Sequence, residues 1–416
     1  MSLFKKSSVY LLSNIISALA PFLLLPVLTR YLSTKEYGEV AIFQTLVTGL
    51  AAFIGINTVG AAARRFFDEG DTDEIKKFNN ACLVILFFSA LFTVSFFFVF
   101  QRQTVNFFSI PEQWILVGIL VASLNYIIQF RLNQWQIRDL PIKYGLLQVG
   151  QSIFLVLLTI ILVIYFNKGA QGRVDALMLT TSLFAFFSLY FLFNDKLISI
   201  NIPVKKNISE ALLFGLPLVP HVFGMFLVSS IDRFIVNRYL GPSQAGIYMV
   251  AVQLSMGLVI VFDAMNKAFV PWIFKALAED DKEKKKKIVF FTKIYFFILG
   301  LGGVLSFFIA PPLLIFIAGN KYIAATNIIG WLCLGQCFLG MYLMVTNYLF
   351  YTKETGKLAM VSLSSGIINV CLLFYFVPKF GLISAAISFA ICMASRFIGT
   401  FYLVRRTKLM PWGKVF

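Results

Sequence analysis

Charged and soft-ligand residues are scarce in this chain. Asp, Glu, Lys and Arg make up 13% of 416 residues, about half the share of a soluble globular protein. That scarcity excludes an ordinary cytosolic enzyme and a disordered chain. There is one histidine and there are five cysteines, too few for a disulfide scaffold. The cysteines (Cys82, Cys333, Cys337, Cys371, Cys392) all fall in apolar runs. Cys333 and Cys337 share a helix face, but one histidine leaves them too few partners for a soft metal. No metal, cofactor or redox role is expected. Alternating strands are missing, which argues against a β-barrel. No G-x-x-x-x-G-K-[ST] loop occurs, so ATP hydrolysis by that route is not expected.

Apolar residues are abundant instead. They reach 59%, with 47 Phe and a mean hydropathy of +0.84. A bilayer core needs roughly 20 apolar residues at 1.5 Å each. Windows free of Asp, Glu, Lys and Arg run over 7–29, 40–63, 78–101, 113–130, 144–167 and 176–194. They continue over 211–231, 239–262, 294–320, 322–352, 358–378 and 380–395, the last resuming past Arg396. The reading is an all-α integral membrane protein with twelve transmembrane helices. The first window reads as a span rather than a cleavable leader. No loop between windows is long enough for a soluble domain.

Charge then orients the spans. Of the 36 Lys and Arg residues, 26 fall on the side of both termini and the even-numbered loops, nine on the other, with Arg396 inside the last span. The positive-inside bias puts both termini in the cytoplasm. The +17 net charge is therefore mostly topology. The densest basic run, Lys282 with Lys284–Lys287, reads as attraction to anionic lipid, with no nucleic-acid partner. Trp114, Trp135, Trp272 and Trp412 suit an interfacial belt, whereas Trp331 lies inside a span.

The chain also repeats itself. A shift of 208 places Arg30-Tyr31-Leu32 on Arg238-Tyr239-Leu240, and Gly38, Leu46, Gly49, Leu50 and Phe66 on identical residues. Six spans separate the copies, so both point the same way: two six-helix lobes related by a parallel pseudo-twofold axis. The expected division is 1–200 and 201–416, through a polar linker at Asp195–Ser209 containing Pro203. The helix opening each repeat looks interrupted, by Pro21 and Pro26 in the first and by Gly215, Pro217, Pro220 and Gly224 in the seventh. Corresponding broken helices point to a transport pathway.

Several stretches carry a resemblance. They are Pro217-Leu-Val-Pro-His221, Ser230-Ile-Asp232-Arg233-Phe, Leu240-Gly241, Ala245-Gly246-Ile-Tyr248 and Asn266-Lys-Ala-Phe-Val-Pro271. Leu-Pro26-Val-Leu-Thr-Arg30-Tyr-Leu, Tyr37-Gly38 and Arg65-Phe66-Phe67 agree with them. Together they resemble the polysaccharide-unit flippases of O-antigen type, in the superfamily of multidrug, oligosaccharidyl-lipid and polysaccharide exporters. The resemblance implies an undecaprenyl-diphosphate-linked sugar unit moved from the cytoplasmic to the periplasmic leaflet of the bacterial inner (plasma) membrane by alternating access. It implies membrane lipids as partners, the polymerase and chain-length proteins of the same pathway as further ones, and coupling to an ion gradient.

Ionisable groups in spans are costly and face a cavity or a partner. Substrate-pathway candidates are Arg30, Arg64, Arg65, Asp232, Arg233, Asp263, Lys267 and Arg396. Ion-coupling candidates are His221, Asp232 and Asp263. Arginine suits a diphosphate, which it holds with two parallel hydrogen bonds. Plainer readings stand beside these. Asp232–Arg233 and Asp263–Lys267 read equally as ion pairs, His221 and Trp331 as packing residues, and Arg396 as a side chain snorkelling to the headgroups. A membrane polymerase or ligase would need a sizeable outward loop with clustered catalytic side chains, and none is present. A multidrug cation extruder would need chamber carboxylates without basic neighbours, whereas Asp232 and Asp263 each have one.

Overall fold

The computed structural model describes residues 3–68, 72–199, 205–279 and 281–413, and among them all regular structure is helical. Two compact units form, Met1–Phe226 and Leu227–Phe416. In the first unit the helices are α1 (Leu3–Tyr31), α2 (Thr34–Leu50), α3 (Thr58–Asp68), α4 (Thr72–Val99), α5 (Gln101–Phe108) and α6 (Glu112–Ile137). Then come α7 (Pro141–Ile160), prolonged by a π turn at Ile161–Tyr165, α8 (Gly169–Asn194) and α9 (Lys205–Gly215). A 3-10 turn at Leu216–Leu218 leads into α10 (Val219–Ser229), inside which the first unit ends. The second unit holds α11 (Ile231–Leu240), α12 (Pro242–Ala278), α13 (Lys282–Ala318), α14 (Thr326–Tyr351), α15 (Thr355–Phe380) and α16 (Leu382–Arg406).

Local chemistry explains where these helices begin. Ser33 opens α2 with a capping box: its Oγ accepts from the Glu36 N–H at 3.2 Å, and Glu36 accepts from the Ser33 N–H at 2.8 Å. Pro242 opens α12 directly after Gly241, whose φ of +83° ends α11. Asp281 opens α13 by accepting from the Glu283 and Lys284 N–H groups. Chiefly the Lys284 bond holds its carboxyl below the ordinary carboxylate range.

Eleven helical segments among the described residues are long and apolar enough to cross a membrane. The remaining apolar run, 40–63, is not one helix. It breaks after Leu50 and restarts at Thr58. Gly55, Ile56 and Asn57 in the break all have positive φ, at 74°, 46° and 52°. At Gly55 an added Cβ would also overlap the Tyr126 ring, so the turn is set by backbone freedom and by a close approach together. The 208-residue shift superposes the start of α2, Thr34, on the start of α12, Pro242, yet α12 runs on unbroken for 37 residues. The repeat thus holds at its opening and diverges at 51–57.

The two repeat-opening runs also differ. Helix α1 is continuous through Pro21 and Pro26, against the expectation of an interruption. Each of its prolines removes one N–H from a separate turn. In the seventh run, Pro217 and Pro220 take two donors from a single turn after Gly215, and the helix tightens to 3-10 there. It breaks again at Ser230, whose φ of −145° is non-helical.

The expected linker is largely structured. Asn79 and Asn80 of α4 hold Leu197 and Ser199 through hydrogen bonds of 2.9–3.0 Å, and α9 already begins at Lys205. Residues 200–204, which include Pro203 and the expected boundary at 200/201, lie outside the described residues.

Lipid tails are as apolar as leucine, so helices in a bilayer associate by close packing and interior hydrogen bonds rather than by hiding from water. In the second unit α14 is the centre, packing against α12, α13 and α16, with Tyr348, Val345 and Leu349 fully buried. In the first, Trp135, Leu132 and Ile128 of α6 pack with Tyr144, Leu147 and Ala185. Outward-facing Phe residues such as Phe92 and Phe316 remain exposed, as a lipid solvent permits.

Candidate functional site

Arg64 and Arg65 lie on α3, immediately beyond the 51–57 turn. They face α9 across a cavity of about 410 Å³, whose walls include Phe78 and Phe214. The Arg65 Nη1 donates to Glu210 Oε2 at 3.1 Å, and its guanidinium stands 5.4 Å above the Phe78 ring. Lys206, one turn before Glu210, approaches the other carboxylate oxygen at 3.9 Å. Arg64 is exposed along the cavity wall. Two cations thus reach one carboxylate, and the cavity wall carries two arginines against that single acid.

The opposite face of α9 is apolar. Ile208 and Leu212, with Leu216 of the 3-10 turn, line a groove of about 570 Å³ against Val84, Phe88 and Phe92 of α4. On a helix, residues two and five apart fall on opposing sides. Glu210 is two residues from both Ile208 and Leu212, and Leu213 is five from Ile208, so the acid faces away from the groove. One helix therefore presents a basic cavity on one face and a greasy groove on the other. The turn seats this helix, because a Cβ at Gly215 would overlap the Ile56 carbonyl oxygen. Glu210 was not among the sequence candidates. Its signal was a lone carboxylate at the head of the seventh apolar run.

In the second unit, Asp232 and Arg233 are buried, at 2% and 7% exposure. Their side chains do not pair with each other. Asp232 Oδ2 accepts from the Tyr248 hydroxyl at 2.7 Å and Oδ1 from the Arg233 backbone N–H at 2.9 Å. The Arg233 Nε is buried without an acceptor. Arg396 is equally interior, 4% exposed. Its Nη2 donates to the Tyr342 hydroxyl at 2.8 Å and its Nε to Ser362 Oγ at 3.2 Å. Snorkelling is thereby corrected: α14 and α15 supply oxygens at the depth where Arg396 sits, so its charge has no need to reach a headgroup. Cys392 lies within electrostatic range of both Asp232 and Arg396, which brings these charges into one interior region.

The remaining candidates are more dispersed. Asp263 and Lys267 pair with each other at 2.6 Å on α12, with side chains about half exposed. His221 is exposed on α10, and Arg30 is exposed in the last turn of α1. Trp331 packs edge-on against Phe307, ring centroids 5.1 Å apart. The lysine run is interlaced with acids: Lys284 meets Glu279 at 2.5 Å and Lys286 meets Glu283 at 2.8 Å. Among the described residues no group of three or more His, Cys, Asp or Glu could hold a metal ion.

Comparison with known proteins adds a family. The polysaccharide biosynthesis protein family matches residues 3–277. A protein of the Lsg locus of Haemophilus influenzae is 26% identical over 378 residues, 89% of this chain and 90% of its own. The capsular polysaccharide biosynthesis protein CapF of Staphylococcus aureus is 22% identical over 414 residues, 95% of this chain and 97% of its own. Among solved structures, the lipid II flippase MurJ in an inward closed conformation superposes with a TM-score of 0.73 at 15% identity, covering 97% of this chain and 87% of that one. An inward-facing multidrug resistance MATE transporter superposes with a TM-score of 0.67 at 17% identity, covering 96% and 95%. The fold is that of this exporter group.

Proposed function

The chain belongs to the polysaccharide biosynthesis protein family, and from that premise we propose that it is a flippase for a lipid-linked sugar unit. The substrate is an undecaprenyl-diphosphate-linked oligosaccharide, the repeat unit of an O-antigen or related surface polysaccharide. It moves from the cytoplasmic to the periplasmic leaflet of the bacterial inner membrane by alternating access, with both termini cytoplasmic. The observation that carries this reading is the two-faced α9. A basic cavity and an apolar groove on one helix match a substrate with an anionic head and a hydrocarbon tail.

The chemistry follows from the residues. Arg64 meets the diphosphate first, with two parallel charge-assisted hydrogen bonds. Arg65 is held ready by Glu210, and phosphate oxygens compete with that carboxylate for the same Nη1. When the head group leaves, Glu210 retakes the arginine and resets the cavity. The tail stays at the lipid-facing groove between α4 and α9. Arg233 and Arg396, buried in the second unit, remain candidates for a separate contact with the anionic head. Asp232, a buried carboxylate held by Tyr248, is the leading candidate to carry a coupling ion, ahead of His221 and the solvated Asp263–Lys267 pair. No covalent step is involved. Polymerase and chain-length proteins of the same pathway take up the product. A multidrug cation extruder would favour a negative chamber, and the positive cavity speaks against it.

Deletion of the coding sequence in a strain with a known surface polysaccharide tests the reading. Surface polymer is expected to fall and lipid-linked units to accumulate facing the cytoplasm. Undiminished polymer in a strain without a redundant flippase overturns it.

A further inference from the structure

The last turns of α6 carry Arg131, Gln134, Trp135 and Arg138 at spacings of three and four, so they share one helix face. Arg131, Gln134 and Trp135 are buried, at 0%, 0% and 2% exposure. Each arginine has found part of what it needs. The Arg131 Nη2 donates to Asp195 Oδ2 at the end of α8, and its guanidinium lies 4.1 Å over the Trp135 ring. The Arg138 Nη2 donates to Gln134 Oε1 at 3.4 Å, and its guanidinium lies 4.7 Å over the Phe66 ring of α3.

What is left over on these four side chains is all of one kind, the one orphan acceptor of these turns being Asn133 Oδ1, two residues from Arg131 and Trp135 and so turned away from them. Arg131 Nε and Nη1, Gln134 Nε2, Trp135 Nε1 and Arg138 Nε are five buried donor nitrogens without an acceptor. Buried donors in folded proteins almost always have a partner, supplied by protein, water or an ion. Charge points the same way. Both guanidiniums lie within electrostatic range of Asp195, and of each other. Asp139, the next carboxylate along, is engaged by Lys6. Two positive charges against one carboxylate leave a single positive charge inside the stripe. A site with surplus donors and one surplus positive charge fits a small anion of charge −1.

We propose that the stripe Arg131, Gln134, Trp135 and Arg138 binds a monovalent inorganic anion of the halide class. The inference is independent of the transported substrate. Its consequence reaches the candidate site, because Arg138 covers Phe66, the residue next to Arg65. An occupied anion site fixes the seam of α6, α8 and α3 from which Arg64 and Arg65 project.

The test uses the full chain, purified and held at constant ionic strength while gluconate is exchanged for chloride. Thermal unfolding should shift upward and saturate with chloride. Arg131→Gln and Arg138→Gln should each raise the chloride midpoint roughly tenfold or more, as loss of one charge-assisted hydrogen bond implies. Arg138 is only partly buried, so its variant remains readable should Arg131→Gln fail to fold. Crystals grown in bromide should show an anomalous peak among the four side chains. Equal unfolding in chloride and gluconate, meaning that water alone serves these donors, overturns the proposal. So does a chloride shift of the same midpoint in wild type and Arg138→Gln, which places the ion elsewhere.

Discussion

Arg65 and Glu210 stand 145 residues apart in the chain and 3.1 Å apart in the structure. Their contact joins α3 to α9 and closes one wall of the basic cavity. The pair is partly solvated, with side-chain exposures of 18% and 35%, so its contribution to stability is small, about 0.2–1 kcal/mol. In the proposed function its value is as a contact that the anionic head group can displace.

That makes Arg64 and Arg65 separable from stability. Arg64→Ala and Arg65→Ala should each lower transport roughly tenfold or more, through lost charge-assisted bonds to phosphate, while thermal unfolding moves little. Arg64→Lys, keeping charge but not the planar fork, should retain part of the activity. Complementation of a deletion strain, read beside unfolding curves of the purified variants, measures both. Full transport in Arg64→Ala removes this residue from the pathway.

The apolar groove is tested by filling it. Leu212→Trp adds bulk where α9 faces Phe88 and Phe92. Transport of a substrate on a long polyprenyl chain should drop, and a short-chain analogue should be less affected. An equal drop for both would mean that the groove does not seat the tail.

Asp232 has a structural role and, in the proposed function, a coupling role, and different variants resolve the two. Asp232→Ala strands the buried Tyr248 hydroxyl, at a cost of about 1–3 kcal/mol, and the unfolding temperature should fall. Asp232→Asn keeps an acceptor for Tyr248 but no titratable group. It should hold most of the stability and lose ion-driven transport in proteoliposomes. Wild-type gradient dependence in Asp232→Asn would eliminate Asp232 as the coupling site.

Gly55 should be intolerant of any side chain. With φ at +74°, an L residue costs roughly 1–2 kcal/mol on conformation alone, and overlap with Tyr126 adds to that. Gly55→Ala should lower the unfolding temperature, and Tyr126→Leu in the same chain should restore only the steric part. An unshifted Gly55→Ala protein would show that the turn is not constrained in this way.

Much of this architecture is legible in the amino-acid sequence, for a reason specific to membranes. Lipid offers no hydrogen bonds, so a crossing helix must be long and nearly free of charge, and such runs are visible as windows. The 208-residue shift is legible too, and α2 and α12 open 208 residues apart. The break at 51–57 is not. A single glycine in an apolar run is a weak signal, and the partner that makes it necessary, Tyr126, is distant in sequence. Asp232 and Arg233 mislead in the opposite way. Neighbours in sequence read as an ion pair, but successive helical side chains diverge by about 100°, and Asp232 turns to Tyr248 instead. Arg396 looks able to snorkel because its oxygen partners, Tyr342 and Ser362, belong to other helices.

Composition and periodicity by themselves determined a multi-pass helical protein built as a repeat, because the solvent of each helix is written in its own residues. Which charges meet was decided only by tertiary structure. Arg65 on Glu210, Arg396 on Tyr342, and the donor stripe of α6 facing a single carboxylate are all contacts between segments far apart in the chain. Electrostatic and hydrogen-bond energies depend on distances of a few ångströms, and no window along a sequence measures those.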